Sequence, residues 1–203
     1  MATRLDVVNA CLAIMGEAPL NSLNEGHAFK DGALRILDRN DEDIQAEGWW
    51  YNTESLVLRL NPADSRVYLP TDTGTIRPSD GYGSRYVQRG RVLYDLQEGT
   101  DRFPAGFQLK VKLIRHIPFT DCPRAVGTYI MRKTVLDFQQ EFDGDQTKTR
   151  NLMIEVYGDG GRILGLKGKV EAEHIRNTSY NFVTESERLS RITGRVNYSR
   201  RPR

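Results

Sequence analysis

Ile44-Gln45-Ala46-Glu47-Gly48-Trp49-Trp50-Tyr51-Asn52-Thr53-Glu54-Ser55-Leu56-Val57-Leu58-Arg59-Leu60 is where the chain changes its period. Upstream, Phe29, Ala33, Ile36, Leu37 and Ile44 recur at helical spacing with charge on the other side, which predicts a helix of about 20 residues and about 30 Å ending at Gly48. Downstream, Leu56, Leu58 and Leu60 alternate with Val57 and Arg59, the two-residue period of a strand. Trp49 and Trp50 stand at the helix end, where closing one end of a core is favoured over forming an exposed anchor. Asn61-Pro62-Ala63-Asp64 then supplies turn chemistry. The chain passes here from helix into sheet.

Working outward, Thr3 and Asp6 have the spacing of a capping box, and Leu5, Val8, Leu12 and Met15 follow at helical intervals up to Gly16. This predicts a first helix over 4–15 and a turn-like stretch over 17–26. Beyond the switch, residues 67–69, 85–88, 91–95 and 107–117 are strand candidates, with Arg89-Gly90 as a two-residue hairpin turn. Residues 71–84, rich in Gly, Asp, Ser, Thr and Pro, read as a long loop. Asp121-Cys122-Pro123 starts a third helix with proline at its first position. Val126, Tyr129, Ile130, Leu136 and Phe138 give that helix an apolar side as far as Gly144. A fourth helix over 146–157 precedes a glycine-rich break at Gly158, Gly160, Gly161, Gly165 and Gly168, and a further helix covers 169–176.

Helices at both ends of a contiguous run of strands define an α+β fold. The expected organisation is a helical bundle from residues 1–50 and 118–176, an inserted antiparallel β region over 51–117, and an extended basic C-terminal arm over 177–203.

The chain has 203 residues, 38% of them hydrophobic, enough for a core without disulfide staples. No apolar run approaches the length that spans a bilayer, so a soluble, unprocessed chain without a membrane partner is expected. Cys11 and Cys122 with three scattered histidines make neither a disulfide framework nor a zinc site. The net charge of +2 is unevenly placed: six arginines against one glutamate make residues 186–203 +5 and leave the remainder at −3.

Candidate chemistry is sparse. The acidic run Asp38 to Asp43 fails as a calcium loop, because Asp43 stands where the turn needs glycine and Trp49 where a bidentate glutamate belongs; a solvated helix face is expected. Gly158-Asp159-Gly160-Gly161 lacks the preceding strand and the Gly-Lys ending of a phosphate loop. His27, His116 and His174 read as structural or exposed. Cys11 reads as a buried small hydrophobe, while Cys122 sits before a helix start that lowers thiol pKa values. No catalytic set, cofactor site or metal site emerges.

The arm is the anomaly. Arg188, Arg191 and Arg195 are separated by Leu189, Ile192 and Val196, and Tyr198, Arg200, Arg201 and Arg203 follow. Interleaved guanidinium and apolar groups favour a segment that docks in a protein groove and pairs with its carboxylates. A phosphate-binding arm and a functionless terminus remain as alternatives.

Residues 6–23, 33–37 and 44–52, with an Ile-x-Gly-Glu-x-Pro turn at 14–19 and a Gln-x-x-Gly-Trp-x-x-Asn helix end at 45–52, resemble the tail tubular protein A family of short-tailed bacteriophages. Residues 86–95 and the Asp101-Arg102-Phe103 turn fit that family's strands, and the likeness fades after about Asp143. The resemblance implies a non-enzymatic virion tail protein made in the bacterial host cytoplasm. It implies a head-to-tail adaptor, commonly a dodecameric homo-oligomeric ring, seated between the phage portal protein and a nozzle of the tail tubular protein B type. Genomic DNA would pass through its lumen without sequence-specific binding, and tail fibres are an additional candidate partner. On that reading Arg188, Leu189, Arg191, Ile192, Arg195, Tyr198, Arg200, Arg201 and Arg203 form a portal-binding arm. A nucleic-acid-binding protein using the same arm is the competing function.

Overall fold

The computed structural model describes residues 2–79 and 85–182. The first helix, α1 (Arg4–Met15), starts where the sequence says it should. The Thr3 hydroxyl accepts from the Asp6 N–H, and the Asp6 carboxylate accepts from the Thr3 N–H at 2.7 Å, so two helix-end donors are satisfied together. Gly16 closes it in the left-handed conformation, φ 77°. The turn that follows is clamped by Asn9, whose Nδ2 donates to the Leu20 carbonyl (3.0 Å) and whose Oδ1 accepts from the Leu20 N–H (2.8 Å).

α2 (Lys30–Ala46) is followed by α3 (Arg124–Phe142), α4 (Gln146–Tyr157) and α5 (Leu166–Phe182). α3 is the axis of the helical part and packs against the other four helices. Phe138, fully buried, meets Phe29 edge-on at 6.1 Å and lies 4.6 Å from Phe142; removing such a ring costs about 3–5 kcal/mol. Val7, Leu12, Ile36, Leu37, Ile130 and Val156 complete this first core. Ion pairs tie its outer faces: Arg4 to Asp38 (2.6 Å), Arg35 to Glu141, and Arg132 to Glu155 (3.0 Å).

Between α2 and α3 run five strands, β1 (Thr53–Arg59), β2 (Thr73–Pro78), β3 (Tyr86–Arg89), β4 (Val92–Asp95) and β5 (Gln108–Arg115). β5 is central in an antiparallel sheet of order β1-β5-β2, and β3 pairs with β4 as a separate hairpin. Period-two alternation puts Leu58, Leu109, Val111 and Leu113 on one sheet face, where they join Val67, Leu69, Leu93 and Phe103 in a second core. Phe107 stacks on Phe103 at 4.4 Å and meets Tyr86 edge-on at 5.7 Å.

The α+β class stands, with several local corrections. Residues 71–84 are not one loop: Thr73, Thr75 and Ile76 carry enough β-branched character to form β2 along β5, and turn-rich composition hid it. The hairpin turn is Gly90-Arg91, one residue later than expected, because Arg89 pairs with Val92. Residues 67–69 form no regular strand; the Leu93 N–H reaches the Val67 carbonyl and the Leu69 N–H the Arg91 carbonyl, across an isolated bridge. Pro123 caps α3 instead of occupying its first turn, since a short 3₁₀ turn (Phe119–Asp121) comes first. The last helix continues through Phe182, so residues 177–182 are helical instead of extended. The expected break over 158–168 is present but shorter, since α5 starts at Leu166 and takes in Gly168. It is organised by Asp159, whose Oδ1 accepts from the N–H groups of Gly161, Arg162 and Ile163, holding that carboxyl below the usual range.

Candidate functional site

The two cores meet at one polar junction, built at the end of α2. Gln45 is 1% exposed; its Nε2 donates to the Ile117 carbonyl (2.7 Å) and to Asp41 Oδ1 (2.8 Å), and its Oε1 accepts from the Ile117 N–H (2.9 Å). Asn52, also 1% exposed, does the same work one turn further on. Its Nδ2 donates to the carbonyls of Gln45 (3.0 Å) and Arg115 (2.9 Å), and its Oδ1 accepts from the Trp49 N–H (2.7 Å). Two carboxamides thus stand in for a missing strand between the helix end and β5. Gly48 turns the chain there in the left-handed conformation, φ 81°, beside Ile114.

Asp41 lies beneath this junction at 6% exposure, with His116 Nε2 3.1 Å from its Oδ2. Burial pushes its carboxyl above the ordinary carboxylate range, against the opposing pull of Gln45 and His116. The acidic run is therefore only partly a solvated face: Asp38, Glu42 and Asp43 are exposed, while Asn40 and Asp41 are buried because they fall on the inner side of α2. Trp49 closes the core as expected, 4% exposed with its indole N–H on the Ile44 carbonyl at 2.6 Å; Trp50 is half-buried beside Tyr51 and His174.

The sequence-predicted arm residues, Arg188, Leu189, Arg191, Ile192, Arg195, Tyr198, Arg200, Arg201 and Arg203, lie outside the described residues. The three histidines are separate: His27 packs by Phe29, His116 joins the junction, and His174 meets Trp49 edge-on at 5.6 Å. Cys11 is buried as expected, its thiol pushed up to about 12. Cys122 corrects the expectation of a lowered value, because burial outweighs the helix start and drives it up to about 11. Among the described residues no group of three His, Cys, Asp or Glu side chains is placed to hold a metal ion, and no helix is long and apolar enough to cross a membrane. Large apolar side chains do reach the surface at Met153 and Tyr157 of α4, Ile163 and Leu164 after it, and Ile175 of α5.

Sequence reasoning had the junction's motif, Gln45-x-x-Gly48-Trp49-x-x-Asn52, but not its use. The signal was present in two carboxamides flanking a glycine where the period switches.

A helical bundle braced against an inserted antiparallel sheet defines a protein of the α+β class. The family model for tail tubular proteins matches residues 5–152, and the chain belongs to that family. It is accordingly a structural component of the phage tail. The match runs from α1 into α4 and includes the second core and the junction, while the first core extends past it to Val156 and Val170. No curated protein matches the chain.

Proposed function

We propose that the chain is the subunit of a head-to-tail adaptor ring, joining the portal to the tail nozzle around the DNA exit channel of a short-tailed phage, without enzymatic activity. The junction carries this reading. Gln45 and Asn52 brace the sheet against the bundle, as a piece gripped by different partners at its two ends requires. Family membership supports the tail location.

On this reading the bundle of residues 1–50 and 118–176 faces the portal and the insert of residues 51–117 faces the nozzle. Side-to-side contacts are heterologous and close into a ring, commonly dodecameric, when the rotation permits. The apolar side chains exposed at Met153, Tyr157 and Leu164 support such contacts. The basic segment pairs Arg188, Arg191, Arg195, Arg200, Arg201 and Arg203 with portal carboxylates, while Leu189, Ile192 and Tyr198 are buried against the portal. Many arms engaging at once multiply a weak grip. DNA passes through the lumen without sequence-specific contacts.

Electron microscopy of the chain mixed with its portal tests the role: a ring of added density is expected, and a bare portal overturns it. Deleting residues 186–203 should leave the circular dichroism spectrum intact and weaken portal capture in a pull-down; undiminished capture removes the arm from the interface.

A further inference from the structure

β1 lies at the edge of its sheet. The Arg115 N–H donates to the Asn52 carbonyl at 2.8 Å, which fixes the alternation of the ladder: Glu54, Leu56 and Leu58 turn their backbone groups to β5. Thr53, Ser55, Val57 and Arg59 therefore turn theirs away. Lys110, opposite Val57, confirms the phase, since its carbonyl accepts from the Ser79 N–H on the far side of β5. The opposite edge is protected by Pro78 and by a register irregularity between Thr73 and Thr75, whereas β1 is seven residues long with neither device.

The solvent face beside this edge is cationic. Arg59, Lys110 and Arg77 are exposed on it, with Ser55, Lys112 and Arg77 forming one row across the three strands. No acidic residue of the described strands shares that face; Glu54 is on the other side, paired with Arg115 at 2.9 Å. At its upper end α5 and Trp50 enclose a cleft of about 370 Å³, lined by Thr53, Ser55, Arg77 and His174 among others.

We propose that the β1 edge, the cationic face and the cleft together bind an extended acidic segment of another protein. The segment adds as a strand to β1, sets carboxylates over Arg59 and Lys110, and places one carboxylate in the cleft beside Arg77. A peptide fits better than nucleic acid because the outward edge alternates donors and acceptors, and a phosphate backbone offers acceptors only. The chain's own terminus is the wrong occupant by charge, since residues 186–203 are +5. This site does not depend on the adaptor ring, because any tail component with such a segment would use it.

The test is fluorescence anisotropy on the full chain with a labelled peptide of alternating Glu and Thr, beside a Lys-Thr peptide and a short DNA duplex. Saturable binding of the Glu-Thr peptide alone is expected. The double substitution R77E/K110E should weaken it by at least roughly tenfold. Val57→Pro should do the same, because it removes an outward N–H without breaking a bond to β5. The thermal melt of each variant reports folding, and if Val57→Pro unfolds, the peptide methylated at alternate backbone nitrogens replaces it. Absent binding, equal binding of the Lys-Thr peptide, tighter binding of the duplex, self-association blocked by Val57→Pro, or indifference of the folded variants would each overturn the proposal.

Discussion

The carboxamide of Gln45 grips the backbone of Ile117 from both sides, donating to its carbonyl at 2.7 Å and accepting from its N–H at 2.9 Å, across 72 positions of sequence. A side chain on the last turn of α2 thereby replaces a strand residue at the point where β5 runs out. Removing it strands two backbone groups of Ile117 at once. Gln45→Ala should therefore lower unfolding free energy by about 2–4 kcal/mol, since each buried group left unsatisfied costs about 1–3 kcal/mol. Asn52→Ala should act similarly, because the Trp49 N–H and the Arg115 carbonyl lose their partner. Urea denaturation of both variants measures this, and unchanged midpoints would show that the junction contributes nothing.

Gly16 and Gly48 offer an internal comparison. Both are left-handed, φ 77° and 81°, so alanine at either carries the same backbone strain of about 1–2 kcal/mol. Their surroundings differ: an added Cβ meets nothing within 4 Å at Gly16 but lies 2.7 Å from Ile114 Cδ1 at Gly48. Gly48→Ala should thus be the more damaging substitution, by the cost of displacing a side chain that is 2% exposed. Equal melting temperatures for the two variants would mean that Ile114 shifts at no cost.

The two thiols should be silent in the folded chain. Burial drives Cys11 up to about 12 and Cys122 up to about 11, so at pH 8 almost no reactive thiolate exists at either. Iodoacetamide followed by mass spectrometry should label neither cysteine natively and both in denaturant. Rapid native labelling of Cys122 would restore the expectation that its helix start governs its chemistry.

Much of the helical part was legible because its signals are local. Thr3, Asp6 and Gly16 bracket α1 correctly, and α4 has the predicted bounds, since caps and apolar spacing are written within a few residues. β2 was missed for the opposite reason: Thr73 to Pro78 is turn-like in composition and becomes a strand only because β5, far along the chain, offers it an edge. The same holds at the junction. Nothing near Asp41 announces His116, and nothing near Gln45 announces Ile117, since pairs separated by more than 70 residues are set by topology. The motif from Gln45 to Asn52 was visible as a family likeness, whereas its mechanical meaning needed the fold.

The final prediction concerns pH and Asp41. Its carboxyl is raised above the ordinary value of 3.8 chiefly by burial, with Asp38 adding to the shift and Gln45 and His116 opposing it. A raised value means that the folded chain holds this proton more tightly than the unfolded chain does. Its favourable contribution is complete below the ordinary value and is lost as pH rises through the raised one. Asp6, Asp72, Asp95 and Asp143 shift the other way, through hydrogen bonds and ion pairs, so their contributions are lost as pH falls. Whole-protein stability mixes the two trends, but Asp41→Asn removes only one titration and keeps an acceptor for Gln45. Subtracting the variant's stability from that of the wild type isolates the buried carboxyl. The difference should fall as pH climbs from about 3.5 towards neutrality and then level off, read from urea midpoints of both proteins. A difference that grows with pH would mean that the His116 contact outweighs burial and that Asp41 is held charged by choice of the fold.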